Sequence, residues 1–272
     1  MTDPPVLQRH EAAGLAWLGF PALESAAIAV VSTRHGGVSR DGCATLNLSY
    51  SVDDLPASVR ENRARFFRAI GLRLERVVSV PQVHGTRVAY ATDANAGEQP
   101  LDALGDADGL ITDCPGLGLF LRFADCVPIL AADPTRNVVG IAHGGWRGTV
   151  GGVAVALVQA LAARFGSVPG DLRLAIGPSI GPCCYTVGPE VRAAFVDRWG
   201  AAGDCGYEAA GRWHLDLWEA NRRQLRGAGV PEERIVVPRI CTSCQVHDFF
   251  SHRAQGGQAG RFGAVVAVRE AG

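Results

Sequence analysis

"ADGLITDCPGLGLFLRFADCVPILAADPTRNVVGIAHGGWRG" (Ala107–Gly148) packs four strand-like runs into one short stretch. "ADGLITD", "GLGLFLRFAD", "VPILAAD" and "NVVGIAH" are rich in β-branched and large apolar residues, and acidic, Gly and Pro residues punctuate them at intervals of roughly ten residues. Strands in a block, with helices only on its flanks, favour an α+β fold with mixed sheets over a regular βαβ alternation.

The flanks agree. "AAIAVVSTR" (Ala26–Arg34) reads as a strand that ends in the turn signal "HGGVSRDG". "PASVRENRARFFRAIGL" has helical spacing, with Pro56 placed to start it and Gly71 to stop it. "ERVVSVPQVHG" and "TRVAYAT" read as two short strands separated at His84-Gly85. "TVGGVAVALVQALAARFG" (Thr149–Gly166) predicts one long apolar helix closed by Gly166. Beyond it come a strand ("DLRLAIG"), a loop ("PSIGPCCYTVG"), two helices ("PEVRAAFVDRWG", "LDLWEANRRQLRGAG") and two closing strands ("RIVVPR", "FGAVVAVRE"). No repeat, low-complexity tract or linker interrupts the pattern. A single domain over residues 1–272 is expected, with residues 1–25 a loosely ordered or peripheral segment.

Composition narrows the function classes. Hydrophobic residues make up 47% of the chain and charged residues 19%, so a sizeable core is expected. The net charge of −1 gives no reason to expect nucleic acid or an anionic membrane as partner. Lysine is absent, so all 26 basic side chains are arginine, a bias that fits a GC-rich genome. No apolar run is long enough for a transmembrane helix, and the N-terminus does not read as a secretory signal. Eight cysteines are too sparse for a disulfide scaffold. A cytoplasmic, thiol-reduced protein is the expectation, as a monomer or small homo-oligomer.

Two of the seven histidines lie where an apolar strand meets glycine: His84 in "PQVHG" and His143 in "IAHGG". Cys126 in "RFADCVP" has a similar setting. Glycine beside a ligating or reacting side chain lets backbone and substrate come close. Two imidazoles and a thiolate suit zinc, and three protein ligands leave a fourth position for water or substrate. Without a metal, Cys126 beside an imidazole is a candidate nucleophile. The plain alternative is three strand-end residues with satisfied hydrogen bonds. Asp125 is a candidate partner for a ligating histidine. Arg34 and Arg147 are candidate anion contacts, because guanidinium matches phosphate. "CTSC" (Cys241, Cys244) has no second CxxC and no thioredoxin context, so a structural zinc finger is not expected; it and the pair Cys183–Cys184 are assigned to core or loop packing, the pair with redox sensitivity as an option.

Several of these motifs, taken in order, resemble the YfiH-like family, also called laccase-domain or polyphenol oxidase-like proteins: "TRHGGVSRDGCATLNLSYSVDD", "PQVHG", "ADCVPIL", "VVGIAHGGWRG", "AIGPSIGPCCYTVGPEV" and "CTSCQVHDFFSHRAQGGQAGRFGAVV". The resemblance runs from about residue 26 to residue 268. It implies a layered α/β/β/α sandwich with mixed β-sheets, and zinc held by His84, Cys126 and His143, with copper a possible substitute. It also implies purine nucleoside phosphorolysis of adenosine, inosine or methylthioadenosine, with adenosine deamination as a further activity. Small-molecule nucleoside and phosphate are then the partners, and Asn47, in "LNL", becomes a candidate contact to ribose or base. Some members of the family are linked to copper-dependent phenol oxidation and some to peptidoglycan quality control. Thr186 and Ala254 depart from the family pattern, at positions where relatives often carry Glu and Arg; both bear on substrate preference.

The inventory separates these chemistries. Multicopper oxidation needs many histidines, typically in His-x-His pairs, and this chain has none of those pairs. A copper ion in the zinc site could support only adventitious oxidation. Deamination needs an activated water and a proton carrier. Phosphorolysis needs an anion site, stabilisation of a cationic ribose and a proton for the leaving base. The alternatives are a metal-independent cysteine hydrolase acting on a cell-wall precursor, with Cys126 as nucleophile and His143 as base, and a non-enzymatic protein tied together by zinc.

Overall fold

A computed structural model describes residues 6–97 and 104–270. The first sheet contains β1 (Gln8–Ala12), β2 (Leu15–Gly19), β3 (Ala27–Ser32), β4 (Val77–Val78), β7 (Gly118–Phe123) and β15 (Phe262–Val268), in the order β1-β2-β3-β15-β7-β4. The second contains β5 (Val88–Tyr90), β6 (Gly109–Thr112), β8 (Val127–Asp133), β9 (Val138–Gly144), β10 (Arg173–Ile176) and β14 (Ile235–Val236), in the order β14-β10-β8-β9-β6-β5. A small third sheet joins β11 (Thr186–Val187), β13 (Arg212–Leu215) and β12 (Gly206–Ala209). Both large sheets are mixed: β4 runs parallel to β7, β5 to β6 and β10 to β14, and the remaining neighbours are antiparallel.

The layers follow from period-two patterning. In β8, Leu130 and Ala132 join Val31, Leu121 and Val266 of the first sheet in a core between the sheets, whereas Ile129 and Ala131 face the opposite way. In β9, Val139 and Ile141 point inward and Val138 and Ala142 outward. The outward residues pack on α4 (Val153–Phe165), α5 (Pro189–Trp199) and α6 (Leu217–Gly227) through Leu157, Phe195 and Leu225. On the far side, Phe66 and Phe67 of α2 (Pro56–Ala69) cover Val30, Phe120 and Val265 of the first sheet. The order helix, sheet, sheet, helices is the expected α/β/β/α sandwich. Its β8–β9 hairpin is closed by Asp133, whose carboxylate accepts from the backbone N–H of Thr135 and of Arg136.

The segment before residue 26, expected to be loosely ordered or peripheral, is ordered from Gln8 onward at the edge of the first sheet: β1 and β2 form a hairpin there, and Phe20 and, in the short helix α1 (Pro21–Glu24), Leu23 are fully buried beyond it. β1 itself is an exposed edge, and residues 1–5 lie outside the described residues. The single helix expected over Thr149–Gly166 is two, α3 (Trp146–Gly151) and α4. They part at Gly152, which is left-handed at φ 89°. Trp199 packs against that glycine, and its indole N–H donates to the freed Val150 carbonyl at 2.9 Å. Among the described residues no helix is long and apolar enough to cross a membrane.

Candidate active site

His143 has the inward parity of Val139 and Ile141, so it extends the face of β9 that lies between the sheets. Cys126 immediately precedes β8 and packs against the same core. The β8–β9 register sets Pro128 opposite His143 and Val127 opposite Gly144, so hairpin pairing brings sulfur and imidazole to one end of the sandwich. His84 arrives separately. It is not at a strand tip but in the loop between β4 and β5, in a left-handed conformation at φ 62°. The ligand atoms of His84, Cys126 and His143 all lie within 4.8 Å of one another.

Asp108, which the sequence reading did not single out, organises this trio. Its carboxylate is fully buried at the start of β6. One oxygen accepts from His143 Nδ1 at 2.8 Å and from the His84 N–H at 3.0 Å. The other accepts from the N–H groups of Val83 (3.1 Å) and Gly85 (2.6 Å). Burial alone would raise its pKa, but the donors from His143, Gly85 and Val83 keep it lowered. With Nδ1 engaged, His143 presents Nε2 to the trio.

Asp125 does not reach a histidine. Its carboxylate accepts from the Thr242 hydroxyl and the Arg253 N–H, both at 2.7 Å, and its carbonyl accepts from the Ile180 N–H. These bonds hold a left-handed, non-glycine residue at φ 87° next to Cys126, so Asp125 sets the backbone from which the thiol projects. Gly145 leaves room for the site: a Cβ there would lie 2.8 Å from His84 Cδ2 and 3.1 Å from Cys126 Sγ. Gly148 does the same for the loop, since its Cβ would meet the Gly85 carbonyl at 2.9 Å.

Charge at the trio is already separated. Burial pushes the Cys126 thiol up, but His143, and hydrogen bonds from both histidines, override it and hold it at about 6. Burial pushes His143 down, but the Cys126 charge and Asp108 raise it to about 9. Two nitrogens and an activated sulfur on rigid supports fit a zinc-type donor set with one position open.

The trio opens into a cavity of about 550 Å³ that is also lined by Gln82, Arg122, His252 and Arg261. Arg122 is held by the Val80 carbonyl at 2.6 Å and by Gln82 Oε1 at 3.0 Å. Burial, with Arg63 and Arg261 nearby, lowers it to about 10. Burial also lowers Arg261, whose guanidinium donates to the Ala259 and Gly260 carbonyls. No carboxylate lines this cavity among the described residues.

The sequence-derived substrate contacts lie elsewhere. Arg34 donates to the Ala44 (2.8 Å) and Val246 (2.7 Å) carbonyls and stacks on Phe250; it does not line the cavity. Asn47 is fully buried, donating to Ser49 and Asp54 and accepting from the Arg261 N–H at 2.9 Å, so it positions Arg261 from behind. Arg147 lies over the Trp146 ring, outside the cavity lining, and Trp146 packs against the helical layer. Gln82 and Arg122 did leave a trace in the sequence: a polar residue beside His84, and one cation inside the apolar run "LGLFLRFAD". His252 and Arg261 had only their place in the C-terminal motif.

The family profile described as multi-copper polyphenol oxidoreductase laccase matches residues 28–269. The chain belongs to this YfiH-like, laccase-domain family. It is 41% identical over 271 residues to the purine nucleoside phosphorylase YlmD of Geobacillus stearothermophilus, covering 98% of each chain. It is 36% identical over 239 residues to the adenosine deaminase RL5 of an unknown prokaryotic organism, covering 85% of this chain and 90% of that one. The crystal structure of the Geobacillus YlmD superposes with a TM-score of 0.90, covering 98% of this chain and all of that one. Family membership carries the sandwich fold. Among the described residues of this laccase-domain chain, only one metal-competent cluster contains histidine.

Proposed function

We propose that this protein is a zinc-dependent purine nucleoside phosphorylase. It splits adenosine, inosine or methylthioadenosine with phosphate into base and a ribose 1-phosphate, and deaminates adenosine as a side activity. One observation carries the reading: a single cavity combines a His-Cys-His donor set with two guanidiniums and, among the described residues, no carboxylate. The names of the similar proteins support both activities.

His84, Cys126 and His143 would hold the metal, which supplies Lewis-acid polarisation of a substrate oxygen or water. Arg122 and Arg261 bind phosphate, replacing Arg34 and Arg147 in that role; a buried and a half-buried guanidinium with no carboxylate among the described lining residues favour a dianion. Gln82 orients Arg122, and Asn47 orients Arg261. Asp108 keeps the His143 ring and the His84 loop fixed. His252, among the described residues the one cavity histidine outside the trio, is the candidate proton carrier to the leaving base or amine.

The test is incubation of purified protein with adenosine, with and without phosphate, under zinc, copper and chelated conditions. Adenine and ribose 1-phosphate with phosphate, and inosine without it, are expected in the zinc-loaded protein. Absence of every product under all metal conditions would overturn the reading. A second reading is favoured by the thiolate–imidazolium pair: a cysteine hydrolase with Cys126 as nucleophile and His143 as base. Activity that survives chelation, with covalent trapping of Cys126, would support it instead.

A further inference from the structure

The four cysteines that the sequence assigned to packing are brought together. Cys183, Cys184, Cys241 and Cys244 have sulfurs that all lie within 4.8 Å of one another. Cys244 Sγ is 3.5 Å from Cys183 Sγ and 3.4 Å from Cys184 Sγ, and all four are free thiols. We propose that these four side chains form a second, closed zinc site that is structural and independent of the His-Cys-His trio.

Geometry carries the assignment. Sulfurs about 2.3 Å from a tetrahedral zinc sit about 3.8 Å apart, close to the contacts here. Sulfurs this near one another surround one ion; they are too close to be corners of a polynuclear cluster. Adjacent side chains diverge in an extended chain, but here the Cys184 and Tyr185 N–H groups both donate to the Gly181 carbonyl, and the turn gathers Cys183 and Cys184 onto one side. The opposing CxxC turns through the Gln245 N–H to the Cys241 carbonyl. The Gly181 N–H points at Cys241 Sγ at 3.2 Å, a donor that favours thiolate over thiol.

The two segments are also joined as a unit. Ser179 bridges Cys241 in parallel, and Thr242 donates to the Ser179 carbonyl. Arg253 donates to the Cys184 and Thr186 carbonyls, which ties the Cys183–Cys184 turn to the C-terminal segment. Binding forms four Zn–S bonds to four thiolate sulfurs. It releases the protons of whichever thiols are protonated and leaves a complex of charge −2. Four protein ligands leave no open position, the mark of a structural ion. The clamp has a purpose in the fold: Ile180 and Thr242, one from each segment, both bond Asp125 beside Cys126.

The full-length Cys126→Ser variant isolates this site from the trio. Produced with zinc and dialysed, it is expected to retain about one zinc per chain, with X-ray absorption showing four sulfurs at about 2.3 Å. Adding Cys183→Ser and Cys244→Ser should remove that zinc and lower Tm by about 5–10 °C. If the triple variant does not fold, wild-type protein decides: Cys183 and Cys244 are exposed, yet should resist a thiol reagent until a chelator is added. A folded Cys126→Ser protein without zinc, or native disulfides among these four cysteines by mass spectrometry, would overturn the proposal.

Discussion

Asp108 and His143 are joined twice: the carboxylate accepts from the imidazole Nδ1 at 2.8 Å, and the Asp108 carbonyl accepts from the His143 backbone N–H at 2.7 Å. The same carboxylate gathers three consecutive N–H groups of the His84 loop. Asp108→Asn would put an amide N–H₂ against some of these donors. Zinc affinity is expected to fall about 10–100-fold, as for other outer partners of metal-bound histidine. Competition with a chromophoric chelator measures it. Unchanged affinity would show that the two histidines hold their places without this carboxylate.

Metal uptake should release protons in a pattern set by the trio. With Cys126 at about 6 and His143 at about 9, the metal-free site near pH 7.5 is a thiolate beside an imidazolium. Only the imidazolium must then deprotonate to bind metal, so about one proton leaves per zinc. Affinity therefore rises with pH, about tenfold per unit up to the His143 pKa, and flattens above it. Calorimetry in two buffers of different ionisation enthalpy reads the proton count directly. Release of two protons at pH 7.5 would mean that the cysteine is protonated in the metal-free protein.

The apolar runs "VPILAAD" and "NVVGIAH" were legible as strands with Cys126 and His143 at strand ends, and their pairing as the β8–β9 hairpin brings those ends together. His84 shared their setting beside a glycine, and motif resemblance tied it to the other two, which spacing alone could not do. Asp108 was hidden because its bonds reach 24 and 35 residues along the chain, and an aspartate before a strand looks like ordinary punctuation. Arg34 and Asn47 sit in a glycine-rich N-terminal motif suited to ligand binding, and their side chains bond protein groups both near and far: Arg34 the Ala44 and Val246 carbonyls, Asn47 Ser49, Asp54 and the Arg261 N–H. The break at Gly152 depends on Trp199, forty-seven residues away by sequence number, so local propensity favoured a continuous helix.

Gly145 offers a steric test of the trio. Its φ of −69° suits any residue, so Gly145→Ala imposes no backbone strain. The new methyl would instead meet the His84 ring and the Cys126 sulfur. Thermal unfolding should reveal a cost of about 1–3 kcal/mol, typical of overpacking. Zinc content should fall more than stability does, because both contacts are with the proposed ligands. A variant with full zinc occupancy and unaltered turnover would show that His84 has room to retreat.

The two cavity arginines should divide phosphorolysis from deamination. Phosphate is a reactant only in phosphorolysis, and a charge-assisted hydrogen bond is worth about 1.5–3 kcal/mol. Arg261→Gln should therefore lower kcat/KM for phosphorolysis about 10–100-fold, mainly through KM for phosphate. Deamination should change far less. Arg122→Gln should behave similarly, with added destabilisation because Val80 and Gln82 lose their donors. Arg34→Gln is the control for the position suggested by sequence alone: it loosens the Ala44 and Val246 contacts, so Tm should fall while KM for phosphate stays put. Equal losses of both activities in Arg261→Gln would point to a role in shaping the metal site rather than in binding phosphate.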